Sequence, residues 1–89
     1  MGEENRPILT RIVLDVLKPH QPSIIDLAKA LMNVSGVQRV SIVISEMDAQ
    51  TETTRIVVEG RGVDYERIAK VIEELGASIH SVDEVEMER

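Results

Sequence analysis

The amino-acid sequence predicts an α+β fold in which one four-stranded antiparallel sheet carries two helices on the same face. Four segments alternate apolar and polar residues with the period of a β-strand. Two further segments carry apolar residues at helical spacing, and each follows a Ser or Asp that can cap a helix. Their order, strand-helix-strand-strand-helix-strand, is that of the ferredoxin-like βαββαβ sandwich. The usual strand order of that fold is four, one, three, two.

The first strand is predicted over residues 8–17, ILTRIVLDVL, and should lie at the centre of the sheet. Its alternation places Ile12, Leu14 and Val16 on the core side. The segment KPHQP follows, and its two prolines should end the strand because proline cannot donate a backbone hydrogen bond. We therefore expect His20 to be held on a stiff loop.

The first helix should begin after the capping residue Ser23 and be closed by Gly36. Two strands follow, over residues 37–47 and 52–59, and the turn between them makes them a hairpin. Asp64 should likewise cap the start of the second helix, and Gly76 should close it.

The last strand, residues 77–87, alternates imperfectly, which indicates a β-bulge. We expect one ferredoxin-like domain over residues 8–89, preceded by a flexible N-terminus over residues 1–7.

Composition excludes several classes of function. The chain of 89 residues has no cysteine, so it can form no disulfide, thiolate metal site or iron-sulfur cluster. Its net charge of -6 argues against binding to nucleic acid or to anionic membranes. The single aromatic residue, Tyr65, gives no platform for stacking bases. No signal peptide or membrane-spanning run is present, which predicts a cytoplasmic protein.

The strand order predicts a cluster of ionisable residues at one end of the sheet. His20, the hairpin tip and the start of the last strand should meet there. We expect Lys18, His20 and His80 to bind a small ligand. Carboxylates near a turn suit Ca²⁺ or Mg²⁺, and Zn²⁺ if histidine joins them, so Glu46, Asp48 and Glu52 are the candidate metal ligands. The alternative is a solvated hairpin tip with structural histidines.

The face of the sheet away from the helices, called here the open face, is predicted to be an interface between copies of the chain. An apolar patch edged by charges usually marks such a contact. Asp15 should form an ion pair there with Arg55 on the neighbouring strand. The apolar residues expected on this face are Val13, Leu17, Val43, Met47, Val57 and Val82.

Three classes of function stay open at this point. The first is a non-enzymatic homo-oligomer that binds a small ligand or divalent cation at a subunit boundary, in a regulatory role. The second is a structural or partner-binding assembly protein without a ligand. The third is an enzyme that uses His20 or His80 as an acid-base group. No glycine-rich phosphate loop, nucleophile elbow or serine-histidine-acid pattern supports the third class.

Three segments read IVLDVLKPHQPS, SEMDAQTETTRIVVEG and GASIHSVDEV; they begin at residues 12, 45 and 76 and span nearly the whole chain. Together they resemble an archaeal family called domain of unknown function 211. The resemblance implies a ferredoxin-like domain of archaeal cytoplasmic origin that forms ring-like homo-oligomers, with no established activity. The family commonly has Glu where this chain has Gln21, and it continues beyond SVDEV with a tail that is altered here to EMER.

Overall fold

The computed structural model describes residues 5–89, which form one four-stranded antiparallel sheet and two helices. The sheet order is β2-β3-β1-β4, which confirms the predicted ferredoxin-like fold and strand order. The predicted flexible segment, residues 1–7, lies partly outside the described residues, and the predicted domain bounds stay a prediction. In chain order the elements are β1 (Ile8–Pro19), α1 (Ile24–Met32), β2 (Val37–Met47), β3 (Thr51–Gly60), α2 (Tyr65–Glu74) and β4 (Ser78–Glu88).

Both helices pack on one face of the sheet, because each carries an apolar stripe at helical spacing. Ser23 caps α1 by accepting the backbone N–H of Asp26, and Asp64 caps α2 through the N–H of Arg67, as predicted. The core contains Leu27 and Leu31 of α1, Ile68 and Ile72 of α2, and Ile12, Leu14, Val16, Ile56 and Val58 of the central strands.

The helix α1 ends at Met32, earlier than the glycine that was predicted to close it. Gly36 instead lies between α1 and β2 with φ +87°. A Cβ atom on Gly36 would collide with the backbone of Gly62, so only glycine fits this close approach of two chain segments.

The central strand β1 continues through Lys18 and Pro19, two residues beyond the predicted end. Lys18 pairs with Glu52 of β3, and Pro19 pairs with Thr51. Pro19 lacks a backbone N–H, and at the last position of the strand this removes no hydrogen bond from the interior of the ladder. As a result Lys18 belongs to the alternating pattern of the strand and lies on its helix-covered side.

Register shifts correct the predicted composition of the open face. The shift between Ile44 and Glu46 places Met47 opposite Glu52, which lies on the helix side of the sheet. Shifts in β4 confirm the expected bulge and place Val82 opposite Leu14, a core residue. The predictions that Met47 and Val82 face the open side are therefore wrong.

The remaining open face is less apolar than the sequence suggested. Val13 lies on it but is only 1% exposed. Among the described residues, Leu17 and Val43 are the exposed large apolar side chains left on this face. The main exposed apolar surface therefore lies elsewhere on the domain.

Neither of the two helices within residues 5–89 has the length and apolar character needed to cross a membrane.

Candidate functional site

A buried ion pair between Lys18 and Glu52 anchors one end of the sheet. The side chain of Lys18 is 1% exposed, and its Nζ lies 2.8 Å from Oε1 of Glu52. Nζ also donates to the carbonyl oxygen of Pro19 at 2.8 Å. Because an ammonium group almost never lies fully buried without a partner, this pair explains how β1 can carry a lysine on its core side.

His20 binds the other oxygen of the same carboxylate. Its Nδ1 lies 2.9 Å from Oε2 of Glu52, and its Nε2 lies 3.0 Å and 3.1 Å from the carbonyl oxygens of Asp48 and Ala49. These carbonyl oxygens can only accept hydrogen bonds, as can an ionised carboxylate. Both ring nitrogens therefore donate, which describes a protonated imidazole.

The pKa values of both partners agree with this arrangement. The hydrogen bond to Glu52 raises the pKa of His20 above its ordinary value. The pKa of Glu52 is lowered most by the hydrogen bond from Lys18 and next by the hydrogen bond from His20. Lys18, Glu52 and His20, called here the charged clamp, thus tie the loop after β1 to the turn between β2 and β3.

The predicted metal ligands are not brought together. Glu46 pairs with Thr53 on the open face. Glu52 lies on the helix side, and its two carboxylate oxygens are bound to Lys18 and His20. Asp48 contributes a backbone carbonyl to His20. Within residues 5–89, no group of three or more His, Asp or Glu side chains is arranged to hold a metal ion. Metal binding therefore stays a prediction.

Two adjacent cavities open on the open face, and Asp15 lines both. The first has a volume of about 210 Å³ and is lined by Asp15, Leu17, Thr53 and His80. The second, of about 310 Å³, is lined by Asp15, Ser45, Thr54, Arg55 and Asp83. The predicted small-ligand residues are consequently divided: His80 lies at these cavities, and Lys18 and His20 belong to the clamp.

Asp15 is half-buried on a central strand. Arg55 is its direct partner across the ladder between β1 and β3. Nevertheless, within residues 5–89, no Lys, Arg or His nitrogen lies within 4.0 Å of the Asp15 carboxylate, and no side-chain hydrogen bond reaches it. The predicted ion pair with Arg55 is therefore not formed, and the carboxylate is left facing the two cavities.

Two serine hydroxyl groups make hydrogen bonds beside the cavities, and two register shifts of β4 place further side chains there. Ser81 donates to Oδ1 of Asp83 at 2.7 Å, and Ser45 donates to the carbonyl oxygen of Thr53 at 3.1 Å. His80 and Asp83 both occupy register shifts of β4. Because a bulge changes the direction of a side chain relative to the regular pleat, these shifts bring both residues to the cavities. In the sequence, the imperfect alternation of the last strand was the one signal of these register shifts.

The family was established by comparison with known proteins. The model of the DUF211 family, described as uncharacterised ArCR, matches residues 10–88. The chain belongs to the DUF211 family. It is 46% identical over 77 residues to the uncharacterised protein MJ0319 of Methanocaldococcus jannaschii, a match that covers 86% of this chain and 79% of that protein. The resemblance to an archaeal family is thereby confirmed.

The geometry of this DUF211 domain bears on acid-base chemistry. His20 has no free lone pair, because both ring nitrogens donate to bound acceptors. It cannot take a proton from a substrate while the clamp is intact. His80 is exposed beside the Asp15 cavities. The open face of the DUF211 domain therefore offers the exposed imidazole of His80 to a ligand.

A second charge network crosses the opposite end of the open face, and sequence reasoning missed it. Arg11 on β1 contacts Glu59 of β3 at 2.9 Å and Glu84 of β4 at 2.6 Å, and Arg39 of β2 contacts Glu59 at 3.1 Å. The hydrogen bond from Arg11 lowers the pKa of Glu84. In this network Arg11 and Arg39 are paired with glutamates, whereas Asp15 has no ion-pair partner within residues 5–89.

Proposed function

We propose that this DUF211 domain is a non-catalytic homo-oligomer that binds a small ligand on its open face, beside the boundary between neighbouring copies. The observation that carries the assembly is that the two edges of the sheet expose different apolar surfaces. One is the β4 edge, formed by Val82, Val85 and Met87, which are 45%, 51% and 52% exposed. The other, called the α1 groove, has a volume of about 330 Å³ and is lined by Ile24, Ile25, Ala28, Lys29, Met32 and Ile42.

These two surfaces are suited to each other because each is an exposed apolar patch. Of the acidic residues of β4, Glu84 and Glu86 contact Arg11 and Asp83 lines the second cavity, so Glu88 is the carboxylate left beside the β4 edge. The α1 groove contains the cation Lys29 and is otherwise apolar. A small domain also gains stability from covering exposed apolar area. We propose that the β4 edge of one copy lies in the α1 groove of the next.

A contact between two different surfaces of the same chain is heterologous, so each copy keeps one free surface for the next. Such contacts close into a ring when the rotation between copies divides a full turn. This agrees with the ring-like assembly that the family resemblance implies. Exposed edge strands also present unpaired backbone groups, which a neighbouring copy would cover.

The ligand site adjoins the proposed boundary because β4 supplies part of both. His80 and Asp83 line the Asp15 cavities, and the same strand carries the β4 edge. The Asp15 carboxylate has no ion-pair partner within residues 5–89 and faces the two cavities, which favours ligand binding over assembly alone. The cytoplasmic location is part of the same proposal.

Native mass spectrometry of three variants tests the assembly. Val85→Glu on the β4 edge and Ile25→Glu in the α1 groove should each reduce the oligomer to monomers, because a charge would be buried in the contact. Val43→Glu places the same charge on the open face and should keep the wild-type mass. A monomeric wild-type protein, or an oligomer lost in Val43→Glu and kept in Val85→Glu, would contradict the proposed contact.

A further inference from the structure

We infer that the open-face site binds an amino-acid-type zwitterion, with Asp15 receiving the ammonium group and Arg55 the carboxylate. The inference rests on the proposed function, in that it names the class of small ligand held beside the subunit boundary.

Asp15 is the anchor for a cationic group. Its carboxylate lies half-buried on a central strand, without a hydrogen bond or ion pair to any side chain within residues 5–89. A hydrogen bond from an ammonium group to a carboxylate is charge-assisted and therefore stronger than one between neutral groups. A ligand ammonium entering either cavity would meet this carboxylate, because Asp15 lines both.

Arg55 supplies the opposite charge on the neighbouring strand. It is the register partner of Asp15, so the two Cα atoms are roughly 4.5–5.5 Å apart. Its exposed side chain lines the second cavity with Asp15 and Asp83. In an α-amino acid a single carbon separates the ammonium and carboxylate groups, so neighbouring strands can bind both at once. Arginine also matches a carboxylate in a planar, two-bond geometry.

The mixture of charges argues against ligands of a single sign. An anion would be repelled by Asp15 and Asp83, and Arg55 opposes the attraction of these two carboxylates for a divalent cation. The side chains at the cavities also lack the arrangement of a metal-ligand set within residues 5–89. A molecule that carries both charges avoids both penalties.

The size of the cavities limits the ligand. Their volumes of about 210 and 310 Å³ lie near or below the lower end of the roughly 300–1,000 Å³ found for pockets that hold drug-sized molecules. A metabolite of amino-acid size fits this space better than a nucleotide. The first cavity, with Leu17, Thr53 and His80, would receive the ligand side chain, and His80 can hydrogen-bond a polar one.

The test uses the wild-type protein and the twenty amino acids as probes. Each is titrated into ¹⁵N-labelled protein, and binding is read from the amide chemical shifts. The tightest binder is then compared with the amine that lacks its carboxylate and with the acid that lacks its ammonium. We expect the zwitterion to bind about tenfold more tightly than either half, because a charge-assisted hydrogen bond is lost in each.

Variants locate the site. Asp15→Asn and Arg55→Gln should each weaken binding by about tenfold, and each should remove the preference for the group that it anchors. Glu73→Gln and Arg61→Gln change exposed residues of the same charges away from the cavities and should leave binding unchanged. The ¹⁵N spectra also report whether each variant is folded, and the comparison of half-ligands needs no variant.

Three results would overturn the inference: no amino acid binds, the amine alone binds as tightly as the zwitterion, or binding is unaffected in both Asp15→Asn and Arg55→Gln. Native mass spectrometry of the same samples separates this inference from the assembly. An oligomer that binds no amino acid would refute the ligand class and keep the assembly. A monomer that binds one through Asp15 would refute the assembly and keep the ligand class.

Discussion

Replacing Lys18 by methionine should lower the free energy of unfolding by about 3 kcal/mol. Removing one member of a buried ion pair leaves the other charge desolvated, and this usually costs roughly 3–5 kcal/mol. The lower end applies here because His20 would still bind the carboxylate of Glu52. A domain of this size has a stability of roughly 4–13 kcal/mol. The change would therefore be evident in urea unfolding followed by circular dichroism.

Lys70→Met is the matched control, because Lys70 is exposed on α2. Surface substitutions of this kind change stability by roughly 0.5 kcal/mol or less. The double variant Lys18→Met with Glu52→Gln should lose less stability than the two single variants together, since the second substitution removes the uncompensated charge. A Lys18→Met variant as stable as the Lys70→Met control would show that the ion pair does not support the fold.

The charged clamp should make stability depend on pH on both sides of a maximum. The pKa of His20 is raised from its ordinary value of 6.5, so its contribution is complete below that value and is lost as pH rises through the pKa of the folded state. The pKa of Glu52 is lowered from 4.5, so its contribution is complete above that value and is lost as pH falls. The clamp should stabilise the fold most between these two ordinary values.

His20→Gln isolates the alkaline side of this profile. Glutamine cannot carry the charge of the imidazolium, so the loss of stability that wild-type protein shows above pH 6.5 should disappear. His80→Gln changes the other histidine, which lies at the open face, and should retain that loss. The midpoint of urea unfolding, measured across the pH range for all three proteins, gives the comparison. Identical profiles for wild type and His20→Gln would contradict the protonated clamp.

The fold could be predicted because its signals are local. Alternating residues marked the strands, and the caps Ser23 and Asp64 marked the helix starts, where the side chains do accept the expected N–H groups. The predicted end of β1 is two residues short because Pro19, which cannot donate a backbone hydrogen bond, still occupies the last position of the strand. Pro19 ends the strand without preventing its last pair with Thr51.

The candidate site was predicted in part. The sequence placed Lys18, His20 and Glu52 at the correct end of the sheet. The contacts among their side chains depend on the register between distant strands, which the alternation of apolar residues does not give. The positions of the other residues depend on the β-bulges. A shift of one residue moves a side chain to the other face of the sheet, which is why Met47 and Val82 were assigned to the wrong face.

The central claim is that unlike edges of neighbouring copies meet, and a mixing experiment tests it most directly. Val85→Glu keeps an intact α1 groove, and Ile25→Glu keeps an intact β4 edge. Each variant alone should be monomeric, and an equimolar mixture should give a heterodimer and nothing larger by native mass spectrometry, because one good contact remains between them. A mixture that stays monomeric, or a wild-type protein limited to dimers, would contradict the heterologous assembly.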